Sequence, residues 1–417
     1  MFSANCKTKM KITILTQYFP PEVGAPQNRL YEMAARLQSM GAEITVLTAM
    51  PNYPQMEIRK DYRGKWYLKE DMNGMKIHRG WIYASKKRGI FRRMLNYYSF
   101  VFSSFWIGWF KLKKSDFLLV ESPPLFLGQS GKLLARLKKA KLIFNVSDLW
   151  PESAEKLGLV KNRFFLKMAY KLEARLYKRA WLVTGQTQGI IKSISTRFPS
   201  KKVYWLPNGV DVSFFAPKED DFLWRDKNNI ARGDFLLLYA GIIGHAQGLE
   251  IILNAAQRLK NIPEIKFILL GSGPEKVRLQ KMKENMQLQN VIFLEPVSKD
   301  EMPSIVRSAN AAVIPLRKLD LFLGAIPSKI FENLAMKKPI LLGVDGEAKE
   351  LFIDEGKAGL YFEPENDKDL ADQVKYLWEN PNLQKELGEN GLKYVAEKFE
   401  RNKISNAFWK ILNENQQ

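Results

Sequence analysis

The sequence predicts an α/β protein built from two doubly wound domains in tandem. Three observations carry this reading. A chain of 417 residues is too long for one ordinary core. Short apolar runs alternate with segments of helical periodicity, the pattern of a parallel sheet covered by helices. The rhythm breaks at residues 212–233, "VSFFAPKEDDFLWRDKNNIARG", which carry many charges and no clean period, and then restarts.

The first half opens with the β-rich run "KITILTQYFP" (11–20). Residues 28–41, "NRLYEMAARLQSMG", place Leu30, Met33, Ala34 and Leu37 at helical spacing, and Gly41 stands where a glycine ends a helix. The strand "AEITVLTAM" (42–50) completes a βαβ unit and predicts parallel pairing. The strand "DFLLVES" (116–122), the helix 128–141 and the strand "LIFNVSD" (142–148) repeat it. A helix-rich stretch (151–180) and the runs "AWLVTGQT" and "KVYWLPNGVD" finish the half. In the second half "FLLLYAG" (235–241), a helix (248–261), "IKFILLGSG" (265–273), a helix (274–287), "VIFLE", "ANAAVIPL", "PILLGVD" and "GLYFEP" follow, then C-terminal helices. The expected domains are therefore 1–211 and 234–397, joined by a linker at 212–233. The last helix, about 398–417, is expected to pack back on the first domain. Ligands of such sheets bind beyond the carboxyl ends of the strands, so a cleft shared by the domains is the expected site.

Composition narrows the classes. Hydrophobic residues make up 46% and charged residues 26%, as in a folded soluble protein. Cys6 is the one cysteine, which excludes an internal disulfide framework and suits a reducing compartment. With only His78 and His245, a His-rich metal site is nearly excluded and none is expected. The N-terminal apolar run reads as a first strand rather than a signal peptide, so a cytoplasmic location is expected. The net charge of +21 is uneven: residues 1–209 hold 37 Lys+Arg against 13 Asp+Glu (+24), and residues 210–417 hold 28 against 31 (−3). Such a field suggests an anionic partner for the first half, a phospholipid surface or nucleic acid. Solubility charge that fell unevenly is the plainer alternative.

Three loops carry candidate chemistry. In "QYFPPEVGAPQNRLYEM", Gly24 follows a predicted strand, with Pro26 in the first turn of a helix. Backbone amides there suit an anion; an ordinary βα turn is an equal reading. In "YAGIIGHAQGLE" (239–250), Gly241, Gly244 and Gly248 form a compact loop whose amides suit a diphosphate, with His245 and Gln247 as further donors. In "DLFLGAIPSKIFENLAMKKP" (320–339), Lys329 stands in the first turn of a helix, where the dipole disfavours a cation. An anionic ligand would resolve that conflict. Glu332, three residues on, offers two acceptors to the vicinal diol of a ribose. By itself the pair is also readable as an exposed i,i+3 ion pair.

Taken together, "PPEVGAPQNRLYEMAARL", "LPNGVD", "GHAQGLE", "LLGSGPE", "PSKIFENLAMKKPIL" and "GKAGLYFEPENDKDLA" resemble a GT-B glycosyltransferase of family 4. The similarity is greatest to the fucosamine-transferase-like group among bacterial capsule, O-antigen and exopolysaccharide enzymes. The resemblance runs from about Lys11 to the final helices. It implies two Rossmann-like domains, acceptor-binding and nucleotide-sugar-binding, and a retaining, metal-independent transfer without cofactor. It further implies a nucleotide-sugar donor, UDP-linked, carrying an N-acetylated or deoxy-hexose. Carried over by position, Glu332 matches the second glutamate of the family's E-x7-E motif and would hold the ribose, with Ser328 and Lys329 beside the diphosphate. Gly24, Gly241, Gly244 and Gln247 complete the nucleotide-sugar set, and Lys329, His245 and Asp148 are the catalytic candidates. Asp148, at a strand end in "VSDLWPES", is also readable as a helix N-cap. Two departures stand out: Gly324 occupies the place of the motif's first glutamate, and the family's Arg and Lys near positions 242 and 247 are replaced by Ile242 and Gln247.

Residues 92–114, "RRMLNYYSFVFSSFWIGWFKLKK", hold an uncharged run at 94–110 between Arg92, Arg93 and Lys111, Lys113, Lys114. Asn96, Ser99 and Ser103 form a narrow polar stripe on a helix otherwise covered by Tyr98, Phe102, Phe105, Trp106 and Trp109. A buried crossover helix, a helix lying in the membrane interface and a transmembrane span are three readings of it. A polyprenyl-diphosphate-linked saccharide as acceptor, on an anionic inner-leaflet surface, accounts for the rings and the +24 half together. The expected location is then peripheral, on the inner face of the cell membrane. A nucleotide-sugar 2-epimerase fits poorly, since it needs more acid/base groups around the sugar. No nucleic-acid recognition motif is found. The substantive rival is a non-catalytic, membrane-associated subunit with a degenerate transferase fold, raised by Gly324.

Overall fold

A computed structural model describes residues 9–416 apart from 23, 54, 88, 157, 159, 161 and 218–221; Cys6 lies outside the described residues. The chain forms two compact units, Met1–Pro207 with Ile404–Gln417, and Asn208–Lys403.

Among the described residues, the sheet of the first unit contains β1 (Lys11–Leu15), β2 (Glu43–Ala49), β3 (Tyr67–Met72), β4 (Met75–Gly80), β5 (Phe117–Ser122), β6 (Lys141–Val146), β7 (Leu182–Gly185) and β8 (Val203–Trp205). Their order is β3-β4-β2-β1-β5-β6-β7-β8. Only β3 runs antiparallel, against β4. The period of two sorts each strand between two cores. Ile12, Ile14, Ile44, Val46 and Phe117 pack with Leu30 and Leu37 of helix Ala25–Ser39 and with Phe408 and Leu412 of helix Arg401–Asn413. Leu15, Leu47, Leu118, Val120 and Phe144 pack on the other face with Phe100 and Ile107 of helix Ile90–Lys111 and Leu134 of helix Leu127–Lys138. A sheet covered on both faces explains why its strands read as nearly continuous apolar runs.

The hairpin β3–β4 was not anticipated, although Asn73-Gly74, both at positive φ (52° and 80°), is a strong two-residue hairpin signal. The run Lys69-Glu70-Asp71 breaks the apolar pattern of a strand; β3 is an edge strand, half solvated.

The second unit holds β9 (Phe235–Ala240), β10 (Ile265–Leu270), β11 (Val291–Leu294), β12 (Ala311–Pro315), β13 (Ile340–Gly343) and β14 (Gly359–Tyr361), in the order β11-β10-β9-β12-β13-β14, all parallel. Leu237, Tyr239, Phe267, Leu269 and Val313 pack against Ile251, Ile252 and Ala255 of helix Glu250–Arg258 and Leu370 and Val374 of helix Asp367–Glu379.

The expected linker is corrected by the structure. Its described residues belong to the second unit. Arg225, 3% exposed, donates from Nε to the Ser308 carbonyl (2.9 Å) and from its two terminal nitrogens to Asp234 O (2.8 Å) and Asn310 Oδ1 (2.9 Å). A guanidinium has five donors, and a ring of carbonyls satisfies them without a carboxylate. Charge count alone made this segment look solvated.

Candidate active site

In the second unit the candidate residues gather at the carboxyl ends of β9, β10 and β12, where open α/β sheets bind ligands. Tyr239, the penultimate residue of β9, is buried and donates from its hydroxyl to the Ile242 carbonyl (2.5 Å), bracing the loop that follows. The Lys329 ammonium lies over that ring, 3.5 Å from its centroid. Beside them lies Gly241 at φ 145°, a conformation L side chains rarely adopt. A Cβ there would stand 3.1 Å from Lys329 Nζ, so glycine leaves the ammonium facing bare backbone.

Burial drives the Lys329 ammonium down to about pKa 7, and the nearby Glu332 carboxylate works against that shift. Desolvation explains the size: a cation removed from water with one carboxylate at a distance is poorly compensated. A polyanion bound here would complete the charge balance. Lys329 opens the helix Lys329–Ala335, and Asn333 holds its first turn by donating to the Lys329 carbonyl (2.8 Å). Ser328 precedes that helix, and its side chain makes no capping bond to it.

The loop after Gly241 is held by a residue that sequence reasoning missed. Arg317, two residues beyond β12, donates from Nε to the His245 carbonyl (2.8 Å) and pairs with Glu365 (3.0 Å) and Glu250. Its own amide donates to the Ala246 carbonyl (3.0 Å). Against the upward pull of burial, the Glu250 amide and the Arg317 guanidinium hold the Glu250 carboxyl below the usual range. The 3₁₀ turn His245–Gln247 is thus clamped from its backbone, with the His245 ring exposed and Gln247 half-buried. The available signal was a basic residue just past a strand end and an acid in a first helical turn. Gly324 ends a 3₁₀ turn, Asp320–Gly324, five residues before Lys329.

The structure therefore brings Gly241, Lys329 and Glu332 together, and adds Tyr239 and Arg317. Gly24 and Asp148 belong to the first unit. Gly24 has φ 172°, extended backbone open to any residue, so its conformation does not require glycine.

The first unit carries its own polar edge. Glu121, 3% exposed at the end of β5, accepts from Arg29 (2.6 Å), Asn145 Nδ2 (2.6 Å) and Ser147, while Thr184 donates to Asn145 Oδ1 (2.5 Å). Glu22, also buried, accepts from the amides of Asn52 (2.7 Å), Tyr53 (2.8 Å) and Phe19 (3.2 Å). These satisfied carboxylates order the carboxyl edge of the sheet. Beside it lies a cavity of about 680 Å³ whose lining includes Tyr18, Lys87, Arg92, Arg93, Asp148 and Trp150. Burial pushes the Asp148 carboxyl above the usual range, opposed by the hydrogen bond it accepts from Ser153 (2.8 Å).

Helix Ile90–Lys111 buries polar residues beside Phe100 and Ile107 on its inward side and turns large apolar ones outward. Asn96 and Ser103 are buried at 2% and 0%, bonded to Gln17 Nε2 (2.8 Å), the Tyr83 carbonyl (2.6 Å) and the Trp81 carbonyl (2.5 Å). Tyr98, Phe102, Trp106 and Trp109 face solvent with Phe91, Leu95 and Phe110, while Phe105 and Arg92 are half-buried. The fully buried crossover helix is thereby corrected: the polar stripe is the inward side because the loop it covers has carbonyls to satisfy. Among the described residues no helix is long and apolar enough to cross a membrane, which corrects the transmembrane reading. Among them, too, no three His, Cys, Asp or Glu side chains are grouped to hold a metal ion.

Comparison with known proteins places this geometry among relatives. Residues 24–209 match the family described as Glycosyl transferase 4-like domain, and residues 220–394 the family Glycosyl transferases group 1. The chain is 28% identical over 337 residues to the putative colanic acid biosynthesis glycosyl transferase WcaI of Escherichia coli (strain K12), covering 78% of this chain and 81% of that one. In fold it is similar to sucrose-phosphate synthase from Thermosynechococcus elongatus (TM-score 0.77, 15% identity, 97% of this chain and 99% of that one). It is likewise similar to Anabaena Alr3699/HepE in complex with UDP and glucose (TM-score 0.71, 16% identity, 97% and 100%).

Proposed function

We propose a reaction for this chain on the premise that it belongs to the GT-B glycosyltransferases of family 4 that build bacterial polysaccharides, a membership its two family matches establish between them. It transfers a hexose, N-acetylated or deoxy, from a UDP-sugar to a polyprenyl-diphosphate-linked saccharide, with retention of anomeric configuration and without a metal ion. The bond from the sugar's C1 to the nucleoside diphosphate breaks and frees the diphosphate, a bond from C1 to an acceptor hydroxyl forms, and the hydroxyl's proton passes to the departing diphosphate oxygen. The observation that carries the reading is the Lys329 ammonium enclosed over Tyr239 beside the bare backbone of Gly241. It is a preorganised, poorly solvated cation of the kind that stabilises a departing diphosphate. Glu332 is the ribose clamp, and the Gly241–Gly248 loop supplies amides and the His245 ring. Transfer takes place at the inner face of the cell membrane, with the rings of helix Ile90–Lys111 in the lipid interface and basic side chains on anionic headgroups.

The test is mass spectrometry of products from a panel of UDP-sugars with a polyprenyl-diphosphate sugar. Lys329→Ala is expected to lower kcat/KM by about 10²–10³ and Glu332→Ala to raise the donor KM. Turnover indifferent to both changes would remove the site assignment. Absence of transfer from every donor would favour the degenerate subunit.

A further inference from the structure

We infer that the 680 Å³ cavity of the first unit binds the diphosphate and first sugar of the acceptor. The inference rests on the lipid-linked acceptor proposed above and says where its reducing end sits. Four cations line the cavity, Lys86, Lys87, Arg92 and Arg93, against one carboxylate, Asp148. Glu57 pairs with Lys86 and takes up that charge. Arg93 donates to the Tyr97 hydroxyl (2.9 Å), a neutral partner, so its charge remains for a ligand. Neither Lys87 nor Arg92 has an acidic partner among the described residues. Three remaining cations against Asp148 leave a net charge of +2, which matches the two ionised phosphates of a diphosphate diester, and guanidinium forks suit its paired oxygens.

The rest of the lining includes a surface of another kind. Trp150 and Asp148, both in its lining, come from the turn after β6, where Ser153 fixes the carboxylate by donating to it. An aromatic face beside an oriented carboxylate is the chemistry that holds a sugar ring, its C–H face on the indole and a hydroxyl on the acid. The placement also says how the ligand arrives. Arg92 and Arg93 sit in the first turn of helix Ile90–Lys111, and the exposed rings run on from Tyr98 to Phe110 along the same helix. Whatever surface covers those rings lies next to the mouth of the cavity, so an anion tethered to lipid is favoured over a free one.

The experiment measures partition of the full chain onto phosphatidylcholine vesicles with and without a few mole per cent of a polyprenyl diphosphate, bare or carrying one sugar. The diphosphate is expected to strengthen partition about tenfold or more. Lys87→Gln with Arg92→Gln loses that increment and leaves binding to plain vesicles unchanged. Lys132→Gln with Arg136→Gln, on a neighbouring helix, keeps it. Asp148→Ala loses only the further gain that the sugar gives. Millimolar inorganic pyrophosphate that cancels the increment supports the site. If pyrophosphate binds the free protein as tightly as the lipid does, the site takes soluble anions and the tether argument is overturned. An increment that survives the cavity pair, or that both pairs lose equally, overturns the site. An increment lost with the cavity pair while no sugar is ever transferred leaves the site standing and removes the proposed reaction; transfer with an unaltered acceptor KM in the cavity pair does the reverse.

Discussion

Counted over the two structural units, the first carries +24 and the second −3. The first turns seven large apolar side chains of one helix outward, whereas the second withdraws Lys329 against a tyrosine ring. Both are parallel sheets with helices on either face. The difference lies in how much water each leaves around its charges. On the first unit, exposed cations such as Lys86, Lys87, Lys111, Lys113 and Lys114 stay hydrated and act together at Debye range, a mode that suits a fluid, repeating surface. In the second, one cation has lost its water, and its interaction with a bound anion is correspondingly stronger and confined to one spot. Many weak, screened contacts and one strong, unscreened contact are the two modes of phosphate binding proposed for these units.

The largest expected effect breaks the surface half of this comparison. Trp106→Ser, Trp109→Ser and Phe110→Ser together are expected to weaken partition onto anionic vesicles by about 10²–10⁴, since each ring buried in lipid is worth roughly 1–2 kcal/mol. The thermal transition should move by less than about 2 °C, because the rings are already exposed in the folded chain. Residual binding should fall steeply with added salt. A variant that unfolds instead would mean that the rings pack against protein, and the contrast between the units would collapse.

Much of the fold was legible because βα alternation leaves its mark on residue order. Runs such as "FLLLYAG" and "IKFILLGSG" are apolar on both faces, as strands between two helical layers are bound to be. What was not legible shares one cause: a polar residue's meaning depends on what it faces. Asn96 and Ser103 look like a solvent stripe and are the inward one, because carbonyls of Tyr83 and Trp81 wait beneath them. Arg225 looks like linker charge and closes a ring of carbonyls. At the candidate site, Lys329 and Glu332 were found through their place on one helix. Tyr239 was hidden inside an apolar strand, and Arg317 in a loop whose partners, Glu250 and Glu365, are 67 and 48 residues distant.

Arg225 supplies the next test, now of the second unit. Arg225→Met keeps the volume and strands the carbonyls of Ser308 and Asp234, so about 2–4 kcal/mol of stability should be lost. Denaturant unfolding of the second unit reads this directly. A loss under about 0.5 kcal/mol would return residues 222–233 to the status of a linker and leave the first expectation correct.

The smallest effect is the sharpest, because it has a sign. The Lys329 ammonium is held at about pKa 7 in the folded chain, below the lysine value of 10.5, by loss of hydration. Between those values the unfolded chain binds more protons than the folded one, so stability rises with pH across this window. Below pH 7 both states carry the charge, and the folded state bears the full cost of keeping it out of water. Lys329→Met removes that cost, and each kcal/mol so recovered should raise the second unit's melting temperature at pH 6 by about 2–4 °C. The gain should shrink as pH climbs from 7 toward 10, where the native lysine is already neutral. Turnover is lost over the same range, the exchange of stability for function expected of a strained site. A gain that stays constant with pH would trace to packing of the methionine alone. In that case Lys329 would be as hydrated as the lysines of the first unit, and the two units would bind anions in the same way.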